Sequence, residues 1–217
     1  MITLTEENYL KAIYHLAEKN GEVSVTDLSR FLGIKMPSVN SMIKKFNDKN
    51  WVNYEIYKPL TLTEEGKRKA AIVVRKHRLT EMYLVEKMGF GWEEVHQIAE
   101  EIEHIRSEAF FDKIDQLLDY PKIDPHGSPI PDKSGKVIKL NYFKLSECKA
   151  GEKVKFSALY ESEDKFLNFL NQKRLTLGTT IAIKSIEEFD QNMHVQYLDR
   201  NEVFSKIVAE KLLVEKL

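Results

Sequence analysis

Six side chains in the middle of the chain have the types and spacing to hold a divalent cation. His96, Glu100, Glu103 and His104 stand at i, i+4, i+7 and i+8, and His77 precedes Glu81 by four residues. A helix turns about 100° per residue, so the first four fall within an arc of roughly 100°. Val95, Ile98, Ala99, Ile102 and Ile105 gather on another side, the side expected to pack into a core. Glu with His at i+4 also forms ordinary ion pairs on solvated helices. The second pair, His77 and Glu81, moves the reading toward metal, provided that the two helices pack antiparallel. Carboxylates are hard donors, imidazoles are borderline, and no sulfur stands on the stripe. That mixture favours Mn2+ or Fe2+ in the cell, with Zn2+, Co2+ or Ni2+ able to bind in vitro.

A third donor pair lies further on. Residues 121–135, "PKIDPHGSPIPDKSG", hold four of the six prolines and read as a linker or ordered turn. Asp124 and His126 flank Pro125 and point the same way if the backbone is extended.

Charge is unevenly distributed around a net of −1. Residues 1–78 carry 14 Lys and Arg against 9 Asp and Glu; residues 79–130 carry 4 against 12; residues 131–217 carry 15 against 13. A basic front, an acidic middle and a near-neutral end suggest three functional units, and an acidic middle that contains histidines suits a cation. The single cysteine, Cys148, excludes disulfides within the chain and a thiolate zinc cluster. No basic and apolar leader opens the sequence and no apolar run approaches 18 residues. The expectation is a soluble, cytoplasmic protein without a membrane partner.

The elements that position these residues can be read from periodicity. Residues 5–19 have helical spacing, with Thr5 as the expected N-cap. Residues 24–34 read as a second, shorter helix ended by Gly33. Residues 36–51 read as a third, with Pro37 in its first turn. A two-stranded wing with a turn at Lys58 and Pro59 follows. Helix, short helix, glycine turn, helix and wing is the winged helix-turn-helix order, with Leu28, Leu32, Ile34, Val39 and Ile43 as its small core. The third helix would enter the major groove of double-stranded DNA. Lys35, Ser38, Asn40 and Ser41 are its candidates for base edges and phosphates, Pro37 positions the turn, and Lys44 and Lys45 suit phosphate contact. The plain alternative, a three-helix packing module without nucleic acid, fits poorly with so basic a third helix.

A long helix is expected from Thr63 to near Gly89, another from Trp92 to Ala109, and a third from Phe110 to Tyr120. Ala71, Val74, Leu79, Met82, Tyr83 and Val85 offer more apolar surface than one helix pair can hide, which points to a helical dimer interface. Beyond residue 136, strand-like alternation around one short helix reads as a five-stranded barrel of the SH3 type. The fold class is therefore α+β: a winged helix-turn-helix DNA-binding domain over 1–72, a helical metal-binding and dimerisation domain with its Pro-rich linker over 73–136, and an SH3-like small β-barrel over 137–217.

Six segments carry a resemblance: "NYLKAIYHL", "KMPSVNSMIKKF", "LTLTEEGKRKA", "RKHRLTE", "EVHQIAEEIEH" and "DPHGSPIP". Together they resemble the diphtheria-toxin repressor family of metal-dependent transcriptional regulators, in its manganese-transport-regulator-like long form. The resemblance covers nearly the whole chain. It implies His77, Glu81 and His96 as ligands of an ancillary metal site, and Glu100, Glu103 and His104 as ligands of the other. It sets Glu100 where iron-responsive members place a cysteine. Asp124 and His126 stand where some manganese-responsive members use Cys-Pro-His, and Glu163 or Asp164 of the barrel is a further candidate. Two positions depart from the family. Asn8 replaces an Asp or Met ligand, which leaves Asn8, Glu7 or water to complete a shell. Lys11 replaces a further ligand of some manganese regulators.

The implied function is a Mn2+- or Fe2+-dependent homodimeric repressor that binds an inverted-repeat operator and controls metal-uptake genes. Rival readings are a winged-helix regulator sensing an organic ligand and a metalloenzyme with a DNA-binding head. The chain has no HExxH and no base left over once ligands are counted, so no enzyme is expected.

Overall fold

The computed structural model describes residues 2–56 and 58–217. The chain forms two compact units: Met1–Thr80 with Ala99–Tyr120 and Ile130–Ile138, and Glu81–Ile98 with Pro121–Pro129 and Lys139–Leu217.

The first unit opens with α1 (Leu4–Asn20), α2 (Val25–Leu32) and α3 (Met36–Asp48). The N-cap of α1 is Thr3, not Thr5: its hydroxyl accepts from the Glu6 N–H while the Glu6 carboxylate accepts from the Thr3 N–H. This reciprocal box satisfies two amides that the helix leaves unpaired. Ser24 caps α2, and Gly33 ends it at φ +65°. Pro37 sits in the first turn of α3, where its missing N–H costs no helical hydrogen bond. α3 stops at Asp48, three residues short of the expected end, because Trp51 N–H returns to the Phe46 carbonyl.

The wing is the antiparallel pair β1 (Val52–Asn53) and β2 (Thr61–Leu62), with Val52 opposite Leu62. Leu10, Ile13, Leu28, Val39, Ile43, Phe46 and Leu60 are completely buried beneath it, and Leu32 and Ile34 pack against them partly buried. The five residues expected to build this core all belong to it. α4 (Glu64–Met88) then starts under the Thr63 hydroxyl, which accepts from Gly66 N–H. A Cβ on Gly66 would lie 1.9 Å from the Trp51 carbonyl oxygen, so only glycine lets α4 start this close to the wing.

α5 (Val95–Ile102) is much shorter than the Trp92–Ala109 expectation. Ile105 N–H bonds the Ile102 carbonyl in a tighter turn, and Ser107 then caps α6 (Glu108–Leu117). Glu103 and His104 therefore lie just past the helix end. Ile105, assigned to the apolar face, is 39% exposed. Three of the residues assigned to a dimer interface, Ala71, Val74 and Leu79, are already buried in the single chain. The large apolar side chains exposed in this unit include Ile72, Phe110, Leu117 and Tyr120.

The second unit is built on six antiparallel strands where five were expected. They are β3 (Phe143–Lys144), β4 (Lys153–Leu159), β5 (Thr180–Ile186), β6 (Met193–Tyr197), β7 (Arg200–Phe204) and β8 (Leu212–Lys216), in the order β3-β8-β4-β5-β6-β7. The additional strand is β3, two residues long and paired with β8. α7 (Asp164–Lys173) follows β4, and α8 (Lys206–Lys211) follows β7. Phe156, Leu167, Ile181, Tyr197, Phe204 and Val214 centre the core of this unit. Among the described residues no helix is long and apolar enough to cross a membrane.

Candidate metal centre and nucleic-acid interface

In the second unit, Glu81, Asp124 and His126 each bring a ligand atom within 4.8 Å of the others. They are 3%, 4% and 4% exposed. Asp124 and His126 do not meet on an extended strand. Residues 124–128 form a tight turn in which Asp124 Oδ1 accepts from the N–H groups of His126 and Ser128, at 2.8 and 2.9 Å. A short side chain that bonds the backbone two and four residues on is a characteristic turn builder. Ile123 and Pro129 pair across the turn, and Leu159 N–H of β4 bonds the His126 carbonyl. Gly127, at φ +86°, is pressed against β4: a Cβ there would lie 2.3 Å from the Ser157 carbonyl oxygen.

The tautomer of His126 follows from its partners. Nε2 lies 2.9 Å from the Trp92 carbonyl oxygen, which can only accept, so Nε2 carries the proton. In the neutral ring Nδ1 then holds a lone pair, and it lies 3.7 Å from Glu81 Oε2. A backbone carbonyl fixing the ring from behind is the usual support for a metal-binding histidine. The indole of Trp92 stacks on the imidazole with centroids 6.0 Å apart, and its own N–H is held by Asn171 Oδ1 at 2.8 Å. Burial alone would lower the His126 pKa; Glu81 and Asp124 outweigh it and hold the pKa above the usual value. The two carboxylates thus favour positive charge on the imidazole. His96, half exposed on α5, has Nδ1 3.4 Å from Glu81 Oε1 and could supply a fourth donor. Two buried carboxylates beside imidazole nitrogen suit a hard-to-borderline divalent ion, so the donor set fits the metal that the sequence implied. Glu163, suggested as a barrel ligand, instead precedes α7 as its N-cap, 3.9 Å from Lys211 Nζ, and Asp164 opens that helix.

The first unit gathers a different set. Lys11 Nζ lies 2.6 Å from Glu100 Oε1 and 2.7 Å from Glu103 Oε1. His77 Nδ1 lies 2.6 Å from Glu103 Oε2, and His77 and Glu100 also bring ligand atoms within 4.8 Å of each other. His104 Nδ1 lies 2.7 Å from Glu7 Oε2. Glu7, not the exposed Asn8, turns toward this cluster. Sequence reasoning placed Glu103 on a polar stripe, yet it is completely buried. His77, which the sequence grouped with Glu81, is engaged by Glu103, and Glu81 lies with Asp124 and His126. The signal that could have announced it is the i, i+4 pair Glu7 and Lys11 on α1, an acid and a base on one face of a helix that otherwise buries Leu10 and Ile13.

On the winged helix, Lys35 precedes α3, and Lys35, Pro37, Ser38, Ser41, Lys44 and Lys45 are exposed, with Asn40 half-buried. The Ser41 hydroxyl donates to the Pro37 carbonyl at 3.0 Å. Lys45 also has a partner within the chain: its ammonium lies 3.1 Å from Glu6 Oε1, which Lys49 also engages at 2.5 Å. Burial raises the Glu6 carboxyl, but Lys49, the Thr3 amide and Lys45 outweigh it and lower its pKa to about 2. Lys45 thus also fastens α3 to the start of α1.

Known proteins resemble this chain in sequence and fold. The N-terminal DNA-binding domain of iron-dependent repressors matches residues 1–60, and their metal-binding and dimerisation domain matches residues 63–132. The chain is 35% identical over 127 residues to the iron-dependent repressor IdeR of Mycobacterium tuberculosis, covering 58% of this chain and 55% of IdeR. It therefore spans about half the length of that relative. It is 33% identical over 120 residues to the transcriptional regulator MntR of Bacillus subtilis, covering 55% of this chain and 84% of MntR. Among solved structures, a manganese-dependent transcriptional repressor in complex with manganese superposes with a TM-score of 0.89 at 28% identity, covering 97% of this chain and 99% of that one. ScaR with bound Cd2+ superposes with a TM-score of 0.83 at 29% identity, again over 97% and 99%.

Proposed function

This chain belongs to the diphtheria-toxin repressor family of metal-dependent transcriptional regulators, and from that membership we propose that it is a DNA-binding repressor activated by Mn2+ or Fe2+. The observation that carries the reading is the convergence of buried Glu81, Asp124 and His126 within 4.8 Å. Glu81 and Asp124 bring two carboxylates into one buried pocket, and a divalent ion there would offset their mutual repulsion. His96 is the fourth donor. Bound metal supplies positive charge that holds α4, α5 and the 124–128 turn to one arrangement. Affinity for DNA then rises by the free energy with which the ion prefers that arrangement.

The DNA surface is the start of α3. Lys35 and Lys44 face phosphate, Ser38, Asn40 and Ser41 face base edges, and Pro37 sets the helix start. The partner is double-stranded DNA with an inverted repeat, read by a homodimer. Phe110 and Leu117, seven residues apart on α6 and both exposed, supply a surface for the second copy. The division of labour follows residues 1–72 for DNA, 73–136 for metal and dimerisation, and 137–217 for the SH3-like part. Repression of metal-uptake genes in the cytoplasm is the role such a switch would serve, and no catalytic step is assigned to it.

The test is selection from a random duplex pool, run once with Mn2+ and once with chelator. Enrichment of a palindromic consensus only in the Mn2+ arm supports the proposal. The same consensus in both arms, or none in either, refutes it.

A further inference from the structure

Lys11 is 7% exposed, and Glu103 is completely buried. A buried ammonium needs anionic partners, and Lys11 has two: Glu100 Oε1 at 2.6 Å, and the Glu103 carboxylate with Oε1 at 2.7 Å and Oε2 at 2.8 Å. Glu103 Oε1 accepts no well-formed hydrogen bond from any described residue, so it takes its compensation from the adjacent charge. Glu7, four residues before Lys11 and on the same face of α1, meets His104. α1 therefore meets this cluster with an anion opposite the imidazole and a cation opposite the two carboxylates.

We propose that Lys11 is the resident cation of the Glu7, Glu100, Glu103 and His104 cluster, standing where the family resemblance implies a metal ion. A divalent ion bonded to Glu100 Oε1 and Glu103 Oε1 would sit about 2 Å from each oxygen. Those oxygens are 2.6 and 2.7 Å from the ammonium, so ion and ammonium would be neighbours of like charge beside the completely buried Glu103. The carboxylates therefore do not fit a metal while Lys11 is in place. The tie between α1 and the end of α5 is then permanent and independent of metal concentration. Building on the function proposed above, the metal response of this chain falls to Glu81, Asp124 and His126.

Counting Mn2+ bound per protomer on the full chain tests this, from the electron paramagnetic resonance signal of free Mn2+. Glu103→Gln keeps the shape of the side chain and the Lys11–Glu100 pair, so the count should equal that of wild type. Lys11→Met removes the ammonium, and the count should rise by one. The Lys11→Met chain should also melt lower than wild type in chelator and recover with Mn2+, because the ion then supplies the missing charge. A Glu103→Gln count one lower than wild type, or an unchanged count in folded Lys11→Met, overturns the proposal. Should Lys11→Met not fold even with Mn2+, Glu103→Gln decides alone, since it retains Lys11. Asp124→Asn, measured beside them, reports on the metal-activated function separately: if it leaves Mn2+ binding intact, that reading fails while the assignment of Lys11 is still judged by its own two variants.

Discussion

The imidazole of His126 is held from behind by the Trp92 carbonyl, 2.9 Å from Nε2, so that Nδ1 faces Glu81 across 3.7 Å. One hydrogen bond thus decides which nitrogen is left with a lone pair facing Glu81, which is the nitrogen the proposed metal site would use.

Asp124→Asn separates charge from architecture. The amide oxygen can still accept from His126 and Ser128 N–H, so circular dichroism should match wild type. The lost charge should lower Mn2+ affinity by at least roughly 10–100-fold, the effect typical of losing even an outer-shell partner. His126→Ala should do the same. Isothermal titration with Mn2+ checks both, and unchanged affinity in a folded variant would remove these residues from the ligand set.

Gly127→Ala should cost stability as well as metal binding. It imposes a side chain at φ +86° and drives a Cβ to 2.3 Å from the Ser157 carbonyl oxygen. Strained backbone of this kind costs about 1–3 kcal/mol before the steric clash is counted. Urea unfolding with and without Mn2+ should show a lower midpoint and a smaller stabilisation by metal; a variant as stable as wild type would mean that the turn is not braced against β4.

Acid should loosen the winged helix through Glu6. Its folded pKa, about 2, lies below the ordinary 4.5. The unfolded chain therefore binds the proton first, and the Glu6 contribution is complete above pH 4.5 and is lost as pH falls toward 2. Glu6→Gln should be less stable than wild type at pH 7, and the difference should shrink between pH 4.5 and 2. A difference independent of pH would contradict the ion pairs with Lys45 and Lys49.

Much of this architecture was legible in the sequence because it rests on local rules. The periodicity of residues 5–19, the Gly33 stop and Pro37 located the three head helices, and the spacing of Leu28, Val39 and Ile43 located their core. Helix ends were less legible. Thr3 stands three residues before Glu6, the spacing of a capping box, whereas Thr5 stands three before Asn8, so this cap was open to reading from the spacing. Ser107 was a competing cap inside an apolar pattern that otherwise continues past Ile102. The partition of the donors was not readable, because it depends on partners far apart in sequence: Lys11 lies 92 residues from Glu103. Helical spacing alone grouped His77 with Glu81 and placed Glu103 on an outer stripe.

Lys44 and Lys45, adjacent in sequence, should behave differently. Lys44→Ala should weaken binding to all duplexes and reduce the salt slope by about one unit, as expected for one lost phosphate contact. Lys45→Ala should also lower stability at pH 7, because it removes a partner of Glu6. Salt titrations of DNA binding beside thermal melts check this; equal salt slopes for wild type and Lys44→Ala would take that face off the DNA.

The most direct measurement is fluorescence anisotropy of the selected palindromic duplex with wild type and His126→Ala, titrated with Mn2+ from a chelated start. Wild type should bind specifically only as Mn2+ is added, and His126→Ala should need at least roughly tenfold more metal to reach the same binding. Equal affinity of wild type for the duplex in chelator and in saturating Mn2+ would contradict the account.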